Sequence, residues 1–385
     1  MIKLSWTSFL AFLVLLPNSY SEIHLSGAYS FLYNNGDSGR QNYVTGGRNG
    51  DSYNGFHVNK MEFYVEGSLD DNVTWFSEFD WNGSDSPNLS LAYLRFNKAF
   101  GKNLVIDAGK ILNPLGLFLQ RKSAHQNLLF GDPLLYDYHT TLRTDGVVAN
   151  GAQIAGLAGL GGSFNNYANA VTNKQGLTLV DRDYPTGVMA YSRKDNVDYY
   201  LAFTNGAVSQ AEPDDSNSST NVLLKMAYVG SKNARLGFNY STGAYLDSNV
   251  VVPAGRTSND YRQTLYGFDF QYERQRWNVM AEWMVSSFET PNIASDLDSY
   301  GYYLEGQYFW NESFYGAVRF GGINFENIDT PLGKMSWDSN VNRTELGIGY
   351  YVNEQVLSKF YIQLNETDTT DPKDNLLGFQ LAGTF

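Results

Sequence analysis

TLYGFDFQYERQRWNVMAEWMVSS, residues 264–287, alternates with period two on both sides of a short polar link. Tyr266, Phe268, Phe270 and Tyr272 share one face of an extended chain, leaving Gly267, Asp269, Gln271 and Glu273 on the other. Beyond the link ERQR (273–276), Trp277, Val279, Ala281, Trp283 and Val285 repeat the pattern against Asn278, Glu282 and Ser286. Rings on one face with acids directly behind them do not suit a core sealed between two sheets. They suit a single sheet with hydrocarbon on one side and water on the other.

The same unit recurs in both directions along the chain. EIHLSGAYSFLY (22–33), VNKMEFYVEGSL (58–69), NVTWFSEFDW (72–81), LSLAYLRFN (89–97) and NLVIDAGKI (103–111) precede it, and DNLLGFQLAGTF (374–385) ends the chain with Phe385 in pattern. Tight links such as LDDN (69–72), RKDN (193–196), GSKN (230–233), WNES (310–313) and VNEQ (352–355) take turns with long polar loops at 34–55, 208–219, 247–260 and 326–340. Short on one side and long on the other describes an up-and-down meander of antiparallel hairpins. Counting gives five strands before residue 112, one at 145–155, a poorly patterned one near 162–171 and eleven from 186 onward. The total is eighteen, with sixteen as the next even number if the division between 145 and 171 is wrong.

Composition agrees. Aromatic residues make up 15% of the 385, with 28 Tyr, 24 Phe and 7 Trp, yet mean hydropathy is only −0.35. Many rings in so polar a chain fit strands with one apolar and one wet face. A soluble sandwich or solenoid would also alternate, but seldom keeps one polar face through so many consecutive hairpins. MIKLSWTSFLAFLVLLPNSYS (1–21) reads as a cleaved secretory signal, because its apolar run from Phe9 to Leu16 is far shorter than the ~20 residues a spanning helix needs. The expected mature chain, 22–385, is one barrel domain of 385 − 21 = 364 residues without cysteine. Removing Lys3 leaves 26 basic against 40 acidic residues, a net charge of −14 that speaks against nucleic acid as a partner.

With its signal segment, alternating turns and loops, and terminal phenylalanine, the sequence resembles a Gram-negative outer-membrane porin. AGKILNPLGLFLQ (108–120) running into RKSAHQNLLFGDPLLYDYHTTLRTDGVVANG (121–151) is similar to the segment in which the fifth strand of such porins ends in a Gly-basic pair, here Gly109–Lys110. The chain then enters a long third loop and returns at an Asp-Gly start, here Asp145–Gly146. The Pro-Glu-Phe-Gly-Gly pattern of general enterobacterial porins is absent, and Gly383 stands where an aromatic residue is more usual. The resemblance implies an all-β transmembrane antiparallel up-and-down barrel of 16 to 18 strands whose third loop, 112–144, narrows the pore. It also implies a homotrimer, contacts with outer-membrane lipid and lipopolysaccharide, and recognition of the Phe385 strand by the barrel-assembly machinery. The apolar residues of that loop, among them Leu115, Phe118, Leu129 and Leu135, suggest independently that it packs on something, either the lumen wall or a neighbouring subunit.

Taking Phe385 as lipid-facing, parity assigns Lys60, Glu62, Tyr64, Glu66, Glu78, Asp80, Tyr93 and Arg95 to the wet wall. Lys225, Arg235, Asp269, Glu273, Glu282, Glu305, Arg319, Arg343, Glu345 and Lys359 follow in the later strands. Strand five is ambiguous, since Asp107 and Lys110 cannot both point inward; Lys110 is kept as a pore-wall candidate. On the loop, Arg121, Lys122, Asp132, Asp137 and Arg143 are the candidate constriction residues. Charges of both signs across a narrow opening favour small hydrophilic solutes and ions moving by passive diffusion. No cofactor or metal is expected. GDSG (36–39) resembles a serine-protease motif, but the chain has only four histidines and no spacing that marks a partner. A barrel enzyme of protease or lipase type, and a structural or adhesive barrel with a blocked lumen, stand as the alternatives.

Overall fold

The computed structural model describes residues 23–36, 55–81, 86–162, 175–211, 216–231, 233–368 and 375–385. The expected signal segment, most of the first long loop and nearly all of the stretch 162–171 lie outside them.

One antiparallel sheet dominates. Its strands are β1 Ile23–Gly36, β2 Gly55–Ser68, β3 Val73–Trp81, β4 Asn88–Phe96, β5 Val105–Lys110, β6 Thr186–Lys194, β7 Val197–Ala207 and β8 Thr220–Ser231. They continue as β9 Ala234–Ala244, β10 Arg262–Arg274, β11 Trp277–Phe288, β12 Leu297–Phe309, β13 Phe314–Phe325, β14 Val341–Asn353, β15 Val356–Thr367 and β16 Leu376–Thr384. A further two-residue strand, Gln210–Ala211, extends only the tip of β7, and Asn327–Thr330 with Gly333–Ser336 forms a separate hairpin in a long loop. Each barrel strand pairs with its sequence neighbours, and β1 also pairs with β16, from Ala28 opposite Thr384 to Gly36 opposite Leu376. The sheet is a closed barrel of sixteen strands, with every short turn at one end and the long connections at the other.

The terminal phenylalanine completes that closure. Its backbone N–H donates to the Gly27 carbonyl at 3.0 Å and its carbonyl accepts from the Gly27 N–H at 3.1 Å. Its ring lies where a Cβ on Gly27 would stand, about 2.5 Å from that position. Gly383 is covered in the same way by the Tyr29 ring from across the seam. The aromatic residue missing from β16 is thus supplied by β1, a cross-strand cover for a glycine on an apolar face.

Pairing fixes which side each residue takes. Phe268 opposite Trp283, Leu304 opposite Phe320, and Ile348 opposite Phe360 lie on the exposed outer face. Asp269 opposite Glu282, and Glu305 opposite Arg319 opposite Glu345, lie inside. Trp277, Trp310, Tyr228 and Tyr350 are exposed at the short-turn end, forming the kind of aromatic girdle that a hydrocarbon boundary selects.

Two expectations are corrected. Among the described residues the barrel strands number five plus eleven, without the one expected at 145–155. Residues 145–155 hold an irregular turn and a helix, Gly151–Gly156, started by the Asn150 side chain accepting from the Gln153 N–H at 3.0 Å. Val148 and Ile154 are buried there, and a short apolar run of this kind does not separate strand from helix by periodicity. The loop between β5 and β6 therefore runs from 111 to 185 instead of 112 to 144, and the chain rejoins the wall at Thr186, well past Asp145–Gly146. Gly109, at the end of β5, has φ +134, and a Cβ there would sit 2.2 Å from the Ala92 carbonyl oxygen, so the strand can leave the wall at that point only on a glycine.

Phe385→Ala uncovers Gly27 at the seam. A lower yield of the heat-modifiable folded form on refolding into lipid vesicles is expected; an unchanged yield would separate the terminal ring from barrel closure.

Candidate functional site

The described parts of the 111–185 connection lie in the lumen, because their partners are inward-facing residues of β8 to β15. Its apolar residues collapse on one another: Leu115, Phe118, Leu119, Leu129, Leu134, Leu135 and Tyr136 are fully buried, the last three on a short helix, Leu134–Asp137. Burial of that many large side chains stabilises by roughly 1.5–3 kcal/mol each, which answers why so apolar a loop is not a liability in water.

Polar anchors fix the loop to the wall. Glu282 of β11 accepts the Leu117 and Phe118 N–H groups at 2.7 and 2.9 Å and the Tyr136 and Tyr303 hydroxyls at 2.5 and 2.6 Å. The chain can reach this carboxylate because Gly116 has φ +65; a Cβ there would stand 2.2 Å from the Tyr136 hydroxyl and 2.3 Å from Glu282 Oε2. Lys225 pairs with Asp269 at 3.0 Å and donates to the Gly116 carbonyl. Arg319 is shared between Glu305 and Glu345 at 2.5 and 2.8 Å while donating to the Gly131 carbonyl and Asn127. Lys359 donates to the carbonyls of Ala124, Asn127 and Leu129 at 2.8, 2.9 and 2.9 Å. From a second loop, Asp338 accepts from the Thr141 and Gly159 N–H groups at 2.6 and 2.7 Å and from the Tyr138 hydroxyl at 2.9 Å.

These contacts revise the roles of several expected residues. Arg319, Arg343, Glu345 and Lys359 do point inward, but lie beneath the loop at 1–3% exposure, so they hold it and do not line a passage. Asp137 pairs with Arg343 at 3.1 Å, and burial pushes its carboxyl up to about 6 although that guanidinium stands beside it. Arg143 is spent within the loop, on both oxygens of Asp145 and the Gly162 carbonyl. Arg121 pairs with Glu305 at 2.7 Å. Lys110 is displaced altogether: it is paired with Ala92 on the outer parity and donates to the Leu89 carbonyl, while Asp107 takes the inward place opposite Arg95.

Water is left with the wall of β2 to β7 and the loop face opposite. Lys60 sits between Glu62 and Asp80 at 2.7 and 3.2 Å, and Arg95 holds Asp107 through both oxygens at 2.8 and 2.9 Å; Lys60, Asp80 and Arg95 keep side-chain exposures of 26, 23 and 35%. Glu66 is open, whereas Glu62 and Glu78 are buried against their neighbours. On the loop face Arg182 reaches Asp132 at 3.4 Å and is half exposed. Lys122 lies 3.8 Å from the Tyr184 ring centre and donates to the Arg182 carbonyl. Its ammonium is lowered to about 8, first by burial and then by Lys60. Acids and bases are interleaved on this wall. Sequence reasoning also passed over Arg182 and the inward rings Phe76, Tyr191 and Tyr200; the signal for Phe76 was its parity, shared with Glu78 and Asp80. Among the described residues no group of His, Asp or Glu is placed to hold a metal ion.

No family model and no curated protein matches the chain. Solved structures do. OmpF of Salmonella typhi, solved with daunomycin, aligns with a TM-score of 0.59 at 12% identity over 96% of this chain and 99% of that one. OmpT, an outer membrane protein of Vibrio cholerae in its trimer form, gives 0.58 at 10% identity over 95% and 99%. An anion-selective porin from Comamonas acidovorans gives 0.57 at 9% identity over 95% and 100%. The fold is that of the outer-membrane porins.

Glu282→Ala leaves two N–H groups and two hydroxyls without their acceptor, at an expected cost of about 3 kcal/mol of loop anchoring. Larger and noisier unit conductance in planar bilayers should result, with faster proteolysis within 112–144. Wild-type behaviour in both assays would show that the carboxylate does not hold the loop.

Proposed function

We infer that this protein is an outer-membrane porin that passes small hydrophilic solutes and ions by passive diffusion, and that it is not an enzyme. The observation that carries the reading is the division of the inner wall. From β8 to β15 the inward charges, apart from Arg235 and Glu273 near the short turns, are buried at the loop, while from β2 to β7 charged side chains keep access to water and face a loop surface that is also charged. A polar passage between two fixed polar surfaces selects by size and charge without binding tightly, which is what a diffusion channel needs. The fold shared with porins, the apolar outer band and the expected signal segment support an outer-membrane location. One of the structural neighbours was solved as a trimer, which supports a homotrimer here.

The density of the buried loop favours one second reading, a barrel whose lumen is blocked. Purified protein in planar bilayers separates the readings: stepwise ohmic openings support the porin, a silent protein supports the blocked barrel, and silence with cleavage of peptide or lipid supports an enzyme.

Lys122 gives the channel a pH dependence of defined sign. With its ammonium titrating near 8, the passage carries one positive charge more at pH 7 than at pH 9. Reversal potentials in a KCl gradient should therefore shift toward cation preference as pH rises through 8, and Lys122→Met should remove that shift. A shift retained in the variant would assign the titration elsewhere.

A further inference from the structure

The open wall carries a feature that diffusion of small ions does not use. Five aromatic residues point inward on it, in a chain whose other rings mostly face out. Tyr64 on β2 stacks toward Phe76 on β3 with ring centres 6.2 Å apart, and Phe76 toward Tyr93 on β4 at 5.5 Å. Tyr191 on β6 stacks toward Tyr200 on β7 at 5.6 Å. The gap between the two groups falls at β5, and the Arg95 guanidinium fills it, 5.2 Å from the centre of the Tyr93 ring and 5.6 Å from that of Tyr191. Asp107 of β5 fixes that guanidinium through both carboxylate oxygens. The row of rings crosses the wall close to the short-turn end, and all five are half-buried, so each keeps part of its surface open.

Inward rings elsewhere in the barrel, among them Tyr303, Tyr315 and Tyr361, are buried beneath the loop, whereas these five keep part of their faces open to water. Their negative quadrupole attracts cations. The chain displays that preference itself, by seating a guanidinium between Tyr93 and Tyr191. The surrounding charge favours the same sign: Glu62, Glu66, Glu78, Asp80, Asp107 and Asp198 against Lys60, Arg95, Lys122 and Arg193 is six acids to four bases. Glu66 lies directly across from Phe76 and is open. An organic anion would meet the acid excess, and a neutral sugar would not use the charge at all.

We propose that Tyr64, Phe76, Tyr93, Tyr191 and Tyr200 form a track that binds organic cations carrying guanidinium or primary ammonium groups on their way through the lumen. The inference rests on the passage described above and adds its substrate class. A solute on the track exchanges one ring for the next across the wall, with Glu66 and the acids around Lys60 holding the cation near the rings.

L-arginine amide is the probe, with maltose and benzoate as comparators, in low-salt planar bilayers. Millimolar arginine amide is expected to interrupt the open-channel current in a saturable manner that added salt weakens, while maltose and benzoate leave it unchanged. Phe76→Leu and Tyr93→Leu keep an apolar side chain but remove the quadrupole, and each should weaken the block about two- to fivefold. Glu66→Gln, a change at an open site, should weaken it in the same direction. Equal block by maltose, or block unchanged in both leucine variants, would overturn the proposal. Calorimetry of arginine amide with the detergent-solubilised protein reads the track independently of conduction. Binding without conductance would remove the passage and leave the track; conductance without binding or block would remove the track and leave the passage.

Discussion

A backbone peptide group facing hydrocarbon without a partner costs several kcal/mol, so a sheet that crosses lipid can have no free edge. The pairing of β1 with β16 meets that demand, and much of the remaining structure follows from it. Once the sheet is closed, in-register pairing carries parity from strand to strand round the ring. A residue is then inside or outside because of its place in that register. This is why a glycine at 383 is tolerated in the closing strand: the Tyr29 ring covers the bare position from the other side of the seam.

Closure creates a second problem. Sixteen strands enclose more space than wall side chains fill, and a wall of ionisable groups facing an empty bore would leave the loops nothing to pack on. Here the 111–185 segment brings its own apolar core and binds to the wall through charge. Glu282 satisfies two backbone N–H groups of the loop, Lys359 three carbonyls, and Arg319 one carbonyl with the Asn127 side chain; the loop needs such partners because its irregular backbone lies away from water. A buried ion is expensive unless every valence is met, and that expense gives the loop one position. The wall charges of β8 to β15 are thus structural, while those of β2 to β7 keep their water.

How far this was legible in the sequence depends on which interactions decide each feature. The strands, the tight turns, the outer aromatic face and the inward parity of Glu62, Glu282, Arg319 and Lys359 were all readable, since alternation is a local property and closure propagates it. The eleven strands after residue 186 were separable for the same reason. Residues 145–155 were misread because Val148 and Ile154 face an apolar loop interior, where neither period two nor period 3.6 has a wet side to contrast with. The roles of the wall charges were hidden for a different reason. Whether Lys359 meets water or three carbonyls depends on the path of residues 124–129, some 230 positions earlier in the chain, and no local pattern encodes that meeting.

The same division explains why the net charge of the chain says little about what the lumen prefers. Glu305 and Glu345 are balanced by Arg121 and Arg319, and Arg343 by Asp137, beneath the loop. What a solute on the proposed path would meet is the short list left over: Lys60 with its two acids, Glu66, Arg95 with Asp107, Arg193 with Asp198, Arg235 and Glu273 near the short turns, and the loop's Lys122, Asp132 and Arg182. In a set that small, one protonation or one ring changes a sizeable fraction of the field, because fixed charges in a narrow, low-dielectric opening act at close quarters. On the proposed diffusion reading, selectivity is set by the part of the wall that the loop leaves uncovered, and the course of the loop is as much a determinant of it as any charge in the wall.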